Sequence, residues 1–386
     1  MKITKLLLAS LISIFLLNSC SEDELNQPPI NVPLGSYESG VLVLNEGSDG
    51  TNSSVSYISL DLNKSQNNIF SLVNPSTILG QTAQSIGFNG ELAYIVVNQA
   101  DKIEIVNRYT MAKVGSITTG LKNPRYITFA NGKGYVTNWG TTTFAGPEAN
   151  PDDFVAVINL SNNTVSSTIP VVEGPERIIL NGNNLYVCHK GGYSYGSTIS
   201  VINSTNNTVS STINVGDVPS AMQINDGFLW VLCEGNPSYA PIETGGKLHK
   251  IALGTNTITT TFSFPNDPAS PLVYTHPSNL DVYNNTLYYT IKSGIYKMPL
   301  SPVAPATSIS LPLNPVFSTS IDNIYGFALK NNYIYISGYG NAPGDYANPG
   351  KVNVHSLGVA AQSPALGILV KTFTVGVGPN GFYFNQ

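Results

Sequence analysis

The sequence predicts an all-β chain assembled from one repeated four-strand unit, and three observations carry that expectation. A single phrase recurs, in which an apolar stretch leads through an Asn-Gly or Asn-Asn turn into an aromatic-apolar strand. Its turns are spaced 42 to 59 residues apart. Composition agrees: charged residues are 11 %, Tyr (21) outnumbers Lys plus Arg (18), and Gly (35) and Pro (25) are plentiful. Average globular chains carry roughly 25 % charged residues, so this one is built for short strands and turns.

The phrase is clearest at Tyr126–Asn138 and Arg177–His189, with looser copies centred on Asn89-Gly90, Asn225-Asp226-Gly227, Asn284-Asn285 and Asn331-Asn332. Asn-Gly between alternating strands marks a tight hairpin, because both residues accept a positive φ. A second strand pair follows, as in Phe154–Asn159 with Thr164–Ile169 and its copy Thr198–Asn203 with Thr208–Ile213. Four antiparallel strands per unit at about 40–50 residues is the signature of β-propeller blades. Gly378-Pro379-Asn380 aligns with Gly174-Pro175-Glu176, so the chain stops after one innermost strand. Val41–Asn45 aligns with a second strand, and Val55–Leu60 and Asn68–Val73 supply two more. The C-terminal strand therefore joins the N-terminal three in one shared blade, which closes the ring without a free edge. The expected fold is a single seven-bladed β-propeller over 37–386, with the 262–276 stretch leaving eight blades open and no helix expected after the leader.

The start of the chain speaks to compartment. Lys2 and Lys5 precede an apolar run, Leu6–Leu17, too short for a spanning helix and suited to a signal peptide over 1–19. Leu17-Asn18-Ser19-Cys20 resembles the lipobox of bacterial lipoproteins, which implies cleavage before Cys20 and its lipidation. The 20–36 segment, with Ser21-Glu22-Asp23-Glu24 and prolines, reads as a flexible tether. Its acidic cluster resembles the export signal of surface-exposed outer-membrane lipoproteins. A net charge of −5 argues against nucleic acid. Besides Cys20 only Cys188 and Cys233 occur, one repeat position apart, so they face opposite ways and stay unpaired.

Tyr135-Val136-Thr137-Asn138, after Asn123-Pro124 and before a Val-Ile-Asn strand, resembles the surface-layer type of propeller repeat named for that tetrapeptide. The lipobox, acidic tether and opening Val43-Leu44-Asn45-Glu46-Gly47 are similar to surface lipoprotein propellers that capture cobalamin. That resemblance implies a non-enzymatic receptor for a small, bulky nutrient, with a corrinoid as lead ligand and a TonB-dependent outer-membrane transporter as partner. It assigns no contact residues. A glycan- or protein-binding adhesion module is the alternative, and a propeller lyase or lactonase a third.

Loops point independently to one face. Connections between second and third strands are long at 139–152, 190–196, 234–246 and 339–350, whereas the hairpin turns on the other face stay tight. They carry Trp139, Phe144, Tyr193, Tyr195, Tyr239, Tyr339 and Tyr346 among Gly, Asn and Ser, the mixture of rigid aromatic and adaptable polar groups that binding loops use. Blade-start residues on that face include Arg125, Arg177, Ser220, Asn279, Tyr325 and Asn380. Arg125 and Arg177 fall at equivalent or nearly equivalent places, where they grip a ligand or pair with Glu176 and Glu173. Asn45, Asn98, Asn138 and His189 share roughly one position at the end of the second strand, where Asn also closes turns. The candidate ligand-binding set is Arg125, Asn138, Trp139, Arg177, His189, Tyr193, Tyr195, Glu234, Tyr239, Tyr325, Tyr339 and Tyr346. No catalytic set emerges. His249 and His355 fall in strands, expected at a blade surface or edge, and His189 and His276 are isolated near the loop face. No metal-ligand spacing, nucleophile elbow or phosphate loop occurs, so no cofactor is expected beyond a corrinoid held as ligand.

Overall fold

A computed structural model describes residues 34–48, 50–142, 151–266, 273–300, 308–311, 314–340, 346–358 and 364–385. The signal peptide, Cys20, the tether up to residue 33 and Phe144 lie outside the described residues. From Gly40 onward the strands form seven separate antiparallel-cored sheets, the blades of a propeller. Blade 1 spans 83–117, blade 2 124–170, blade 3 175–214, blade 4 219–263, blade 5 278–318 and blade 6 326–374. Blade 7 joins Pro379–Asn385 to Gly40–Asn45, Ser54–Ser59 and Ser65–Gln66, with the C-terminal strand innermost. Thr257–Ser263 is the fourth strand of blade 4 and Ser278–Tyr283 begins blade 5, so among the described residues the sheets number seven, not eight.

Two local expectations are corrected. Asn68–Val73 is not a strand: Ile69–Val73 forms a short α-helix, and blade 7's outer strand is only Ser65–Gln66. Asn68 adopts φ 57, which turns the chain out of the sheet, and the helical turn that follows buries Ile69 and Phe70. Ser308–Ser310 was not anticipated either. It runs parallel to Thr261–Ser263 and gives blade 4 a fifth strand.

The hairpin turns explain the recurring phrase. Asn131-Gly132, Asp226-Gly227, Asn284-Asn285 and Asn331-Asn332 all have positive φ at both central positions, as a type I′ turn requires. At Gly90 and Gly182 only the first central residue is left-handed, the type II′ pattern. The aromatic after each turn then falls at one register. Tyr94, Tyr135, Tyr186, Trp230 and Tyr335 are all essentially fully buried between blades. Three of them reach the next blade's outer turn: Tyr94 OH donates to Asn163 Oδ1 (3.3 Å), Tyr135 OH to Asn207 Oδ1 (2.9 Å) and Tyr186 OH to Asn256 Oδ1 (2.7 Å). Each acceptor Asn has φ near +55. One residue choice thus serves both the turn and the blade-to-blade contact.

The ring closes along pairs from Gly40↔Asn385 to Leu44↔Gly381, with a shift of register before Asn45↔Pro379. Asn385 clasps the seam, its Nδ2 donating to the Tyr37 and Arg108 carbonyls at 2.6 Å each. The Arg108 guanidinium donates to the Phe384 carbonyl at 3.0 Å and lies 3.7 Å from the centre of the Phe88 ring.

Candidate functional site

Six of the seven innermost strands break register just after their first residue. The shifts fall between Ala83 and Ser85, Pro124 and Ile127, Pro175 and Ile178, Pro219 and Ala221, Ser278 and Leu280, and opposite Pro379–Gly381. Bulges of this kind re-aim side chains. The freed residues include Gln84, Arg125, Glu176, Ser220, Asn279 and Asn380; Tyr325, just ahead of blade 6's inner strand, completes the circle. These seven residues, one per blade, line an axial cavity of about 290 Å³. A left-handed residue ushers five of these strands into the ring: Thr82, Asn123, Gly174, Val218 and Gly378. At Gly174 the requirement is also steric, since a Cβ there would sit 2.0 Å from the Gly192 nitrogen in the loop folded over it.

The ring is polar and unevenly charged. Arg125 grips Glu176 in the next blade with two bonds of 2.9 Å, both side chains being largely buried. Burial pushes the Glu176 carboxyl up, but the Arg125 charge and hydrogen bonds outweigh it and hold it below the usual carboxylate range. Lys190 reaches Glu234 at 3.4 Å. Arg177, one residue deeper than Glu176, lies 4.3 Å from the centre of the Tyr126 ring. At the rim, Glu46 accepts hydrogen bonds from the hydroxyls of Tyr325 and, at 3.4 Å, Tyr339. Burial raises the Glu46 pKa, an effect the Tyr325 hydrogen bond and the Arg125 charge partly offset.

Two aromatic clusters flank this cavity. Trp139 meets Tyr193 edge-on (5.7 Å between centroids) and receives the Arg125 guanidinium 4.0 Å above its ring. On the other side, around blade 6, Tyr325, Tyr339 and Tyr346 pack in series at 4.9 and 4.8 Å. Tyr193, Tyr325 and Tyr346 remain exposed, Tyr195 is half-buried, and Tyr239 on the blade 4 loop is 84 % exposed. Sequence-predicted Arg125, Trp139, Arg177, Tyr193, Glu234, Tyr325, Tyr339 and Tyr346 therefore belong to one face around one axis.

Other candidates lie elsewhere. Asn138 and His189 are fully buried between strands, so neither is presented to a ligand. Asn138 Oδ1 accepts from the Lys122 N–H (2.9 Å) and His189 Nε2 pairs with Ser200 Oγ (2.8 Å), both scaffold roles. Asn45 shares their register, whereas Asn98 lies one residue beyond it. Arg125 and Arg177 are likewise offset by one: Glu176 is the true counterpart of Arg125. Gln84, Glu176 and Glu46 were not among the candidates. The residue after each blade-opening proline (Arg125, Glu176, Ser220, Asn380) is the signal that would have found most of the ring.

His249 and His355 are also buried rather than at a blade surface or edge. Burial depresses His189 and His249 each to about 4, with Lys247 adding to the effect at His249. Both stay neutral in the fold while the unfolded chain takes up protons near pH 6.5. Their contribution is complete above that pH and declines as pH falls toward 4. Urea unfolding at pH 5 is expected to give about 2 kcal/mol less stability per histidine than at pH 7. Substituting His189→Asn, the residue at that register in blades 2 and 7, should remove its share of the slope; an unchanged slope refutes the assignment.

The fold and this face define a seven-bladed β-propeller with a polar axial cavity beneath aromatic loops. The chain belongs to the DUF5074 family, described as a domain of unknown function, whose pattern matches residues 39–334. A search of curated proteins finds no match. Among solved structures, it is similar to the periplasmic gluconolactonase PpgL of Pseudomonas aeruginosa (12 % identity, 89 % of this chain and 98 % of that one, TM-score 0.61). A functionally unknown protein from Desulfotomaculum acetoxidans aligns over 90 % of this chain and 98 % of its own at 12 % identity and TM-score 0.57. Hydrazine synthase of Kuenenia stuttgartiensis aligns over 76 % and 86 % at 18 % identity and TM-score 0.52. Identities this low speak to the fold alone.

Proposed function

We propose that this chain is a non-enzymatic capture protein, anchored through Cys20 at the outer surface of a bacterial cell. On this reading it holds a small, bulky nutrient on the long-loop face and passes it to a TonB-dependent outer-membrane transporter. A corrinoid is the lead ligand. The supporting observation is the pair of aromatic clusters, Trp139–Tyr193 and Tyr325–Tyr339–Tyr346, on opposite sides of a ring that offers both donors and acceptors. Aromatic faces suit a broad, flat apolar body, and the mixed polar ring suits amide side arms.

Calorimetric titration with cyanocobalamin tests this. Tight one-to-one binding is expected, weakened at least about 100-fold in the combined Tyr193→Ala, Tyr239→Ala, Tyr339→Ala variant, since aromatic anchors contribute about 2 kcal/mol or more each. No binding of any corrinoid removes the lead ligand. Tyr239, 84 % exposed on its loop, favours a second reading as a glycan-binding adhesion module. Retention on polysaccharide arrays without corrinoid binding selects it, and a lactone- or glycan-cleaving activity selects an enzyme instead.

A further inference from the structure

Among the described residues, one cation lining the axial cavity has no carboxylate at ion-pair distance. Glu176 is engaged by Arg125, Glu234 by Lys190, and Glu46 by two tyrosine hydroxyls. Arg177 has neither an ion pair nor a side-chain hydrogen bond among the described residues; it lies against the face of Tyr126 at 4.3 Å, and the carboxylate whose charge acts on it, Glu176, is already engaged by Arg125. Its side chain is open to the cavity. A guanidinium carries five N–H donors in a planar fork that matches carboxylate and phosphate oxygens. Stacking on Tyr126 orients that fork and leaves every donor unused. In the same cavity two buried polar atoms lack a protein partner, the Ser220 hydroxyl, which can donate, and Asn380 Oδ1, which only accepts. An unpaired buried hydroxyl is costly unless a ligand completes it.

Size sets a further limit. The cavity, about 290 Å³, lies at the small end of ligand pockets and suits a compact group better than a ligand's bulk. We infer that the axial cavity is an oxyanion subsite, in which Arg177 and Ser220 hold the carboxylate or phosphate of a ligand whose bulk rests on the aromatic rim. This rests on reading the long-loop face as the ligand face, and not on the ligand being a corrinoid. A small free anion and the acidic arm of a larger molecule share this chemistry.

Thermal-shift titrations of the full chain with inorganic phosphate, acetate and neutral acetamide separate the possibilities. Phosphate and acetate are expected to stabilise the wild type saturably, and acetamide is not. Excluded-ion stabilisation is common to all variants, so the difference between variants carries the result. Arg177→Gln is expected to raise the apparent Kd for both anions at least about 10-fold, the factor that loss of one charged hydrogen bond produces. Arg177→Lys should retain part of the affinity. Ser220→Ala removes only a hydroxyl and should weaken binding about 3- to 10-fold, which guards against a folding defect in the arginine variants. The inference is overturned if neither anion stabilises the wild type, if acetamide matches acetate, or if both Arg177→Gln and Ser220→Ala respond as the wild type does. Phosphate binding without corrinoid binding removes the corrinoid alone. Corrinoid binding indifferent to phosphate and to Arg177→Gln removes the oxyanion subsite alone.

Discussion

Glu176→Ala is expected to destabilise the propeller by about 3–5 kcal/mol, because it strands Arg125 as a buried charge without its partner. The two side chains are 8 % and 13 % exposed and joined by paired bonds, so solvent supplies little compensation. The Glu176 backbone stays anchored in any case, its carbonyl accepting from Thr137 Oγ1 at 2.8 Å. The loss therefore reports the charge and not a collapsed strand. Replacing both partners, Arg125→Met with Glu176→Leu, should recover most of the stability, since an apolar pair of similar volume leaves nothing uncompensated. The depressed Glu176 pKa adds a pH signature. Its contribution is present above the ordinary carboxylate range and is lost as pH falls below it. Urea unfolding at pH 7 of the two variants checks this; a single variant within about 1 kcal/mol of wild type would show that the pair is dispensable.

Deleting 379–386 is expected to abolish cooperative folding altogether. The deletion removes the innermost strand of blade 7, including Phe382 and Phe384, which pack on Tyr335 at 5.8 and 5.4 Å. It also uncovers Gly40–Asn45, a fully buried apolar strand, as an unpaired edge that invites association. Size-exclusion chromatography and near-ultraviolet circular dichroism should show aggregated or loosely packed chain. A truncated monomer with a sharp unfolding transition would mean that the other six blades hold the ring closed without the seam.

Blade number, turn chemistry and the shared seventh blade were legible because each rests on local signals that repeat: a left-handed Asn or Gly, an aromatic at fixed register, a Gly-Pro or Asn-Pro opening. The aromatic rim was legible for the same reason, since loop length and loop composition are read directly. What the periodicity of two could not supply was the ring. Blades 2 and 3 carry the same two-residue bulge, and Arg125 and Glu176 each stand five residues before the end of their strand; matching residue type rather than position is what set Arg177 beside Arg125. Asn138 and His189 misled because the end of a second strand adjoins the loop face while its side chain points between strands. The Ser308–Ser310 strand pairs some fifty residues back, and no local pattern announces such a partner. Glu46 drew notice only within a resemblance; its two tyrosine partners lie nearly 300 residues away.

The position of Gly40–Asn45 has a mechanical consequence. The chain enters the propeller through this strand, which lies inside its sheet with Pro379–Asn385 on one side and Ser54–Ser59 on the other. A pull on the preceding segment, directed along the strand, loads both ladders in shear, and six residue pairs on each flank must slip together before the strand moves. Had the chain entered through an outer strand such as Ser65–Gln66, the same pull would peel two pairs one at a time. Force arriving from the N-terminal side is therefore carried by the seam that also closes the ring, and the propeller resists being torn open from that end.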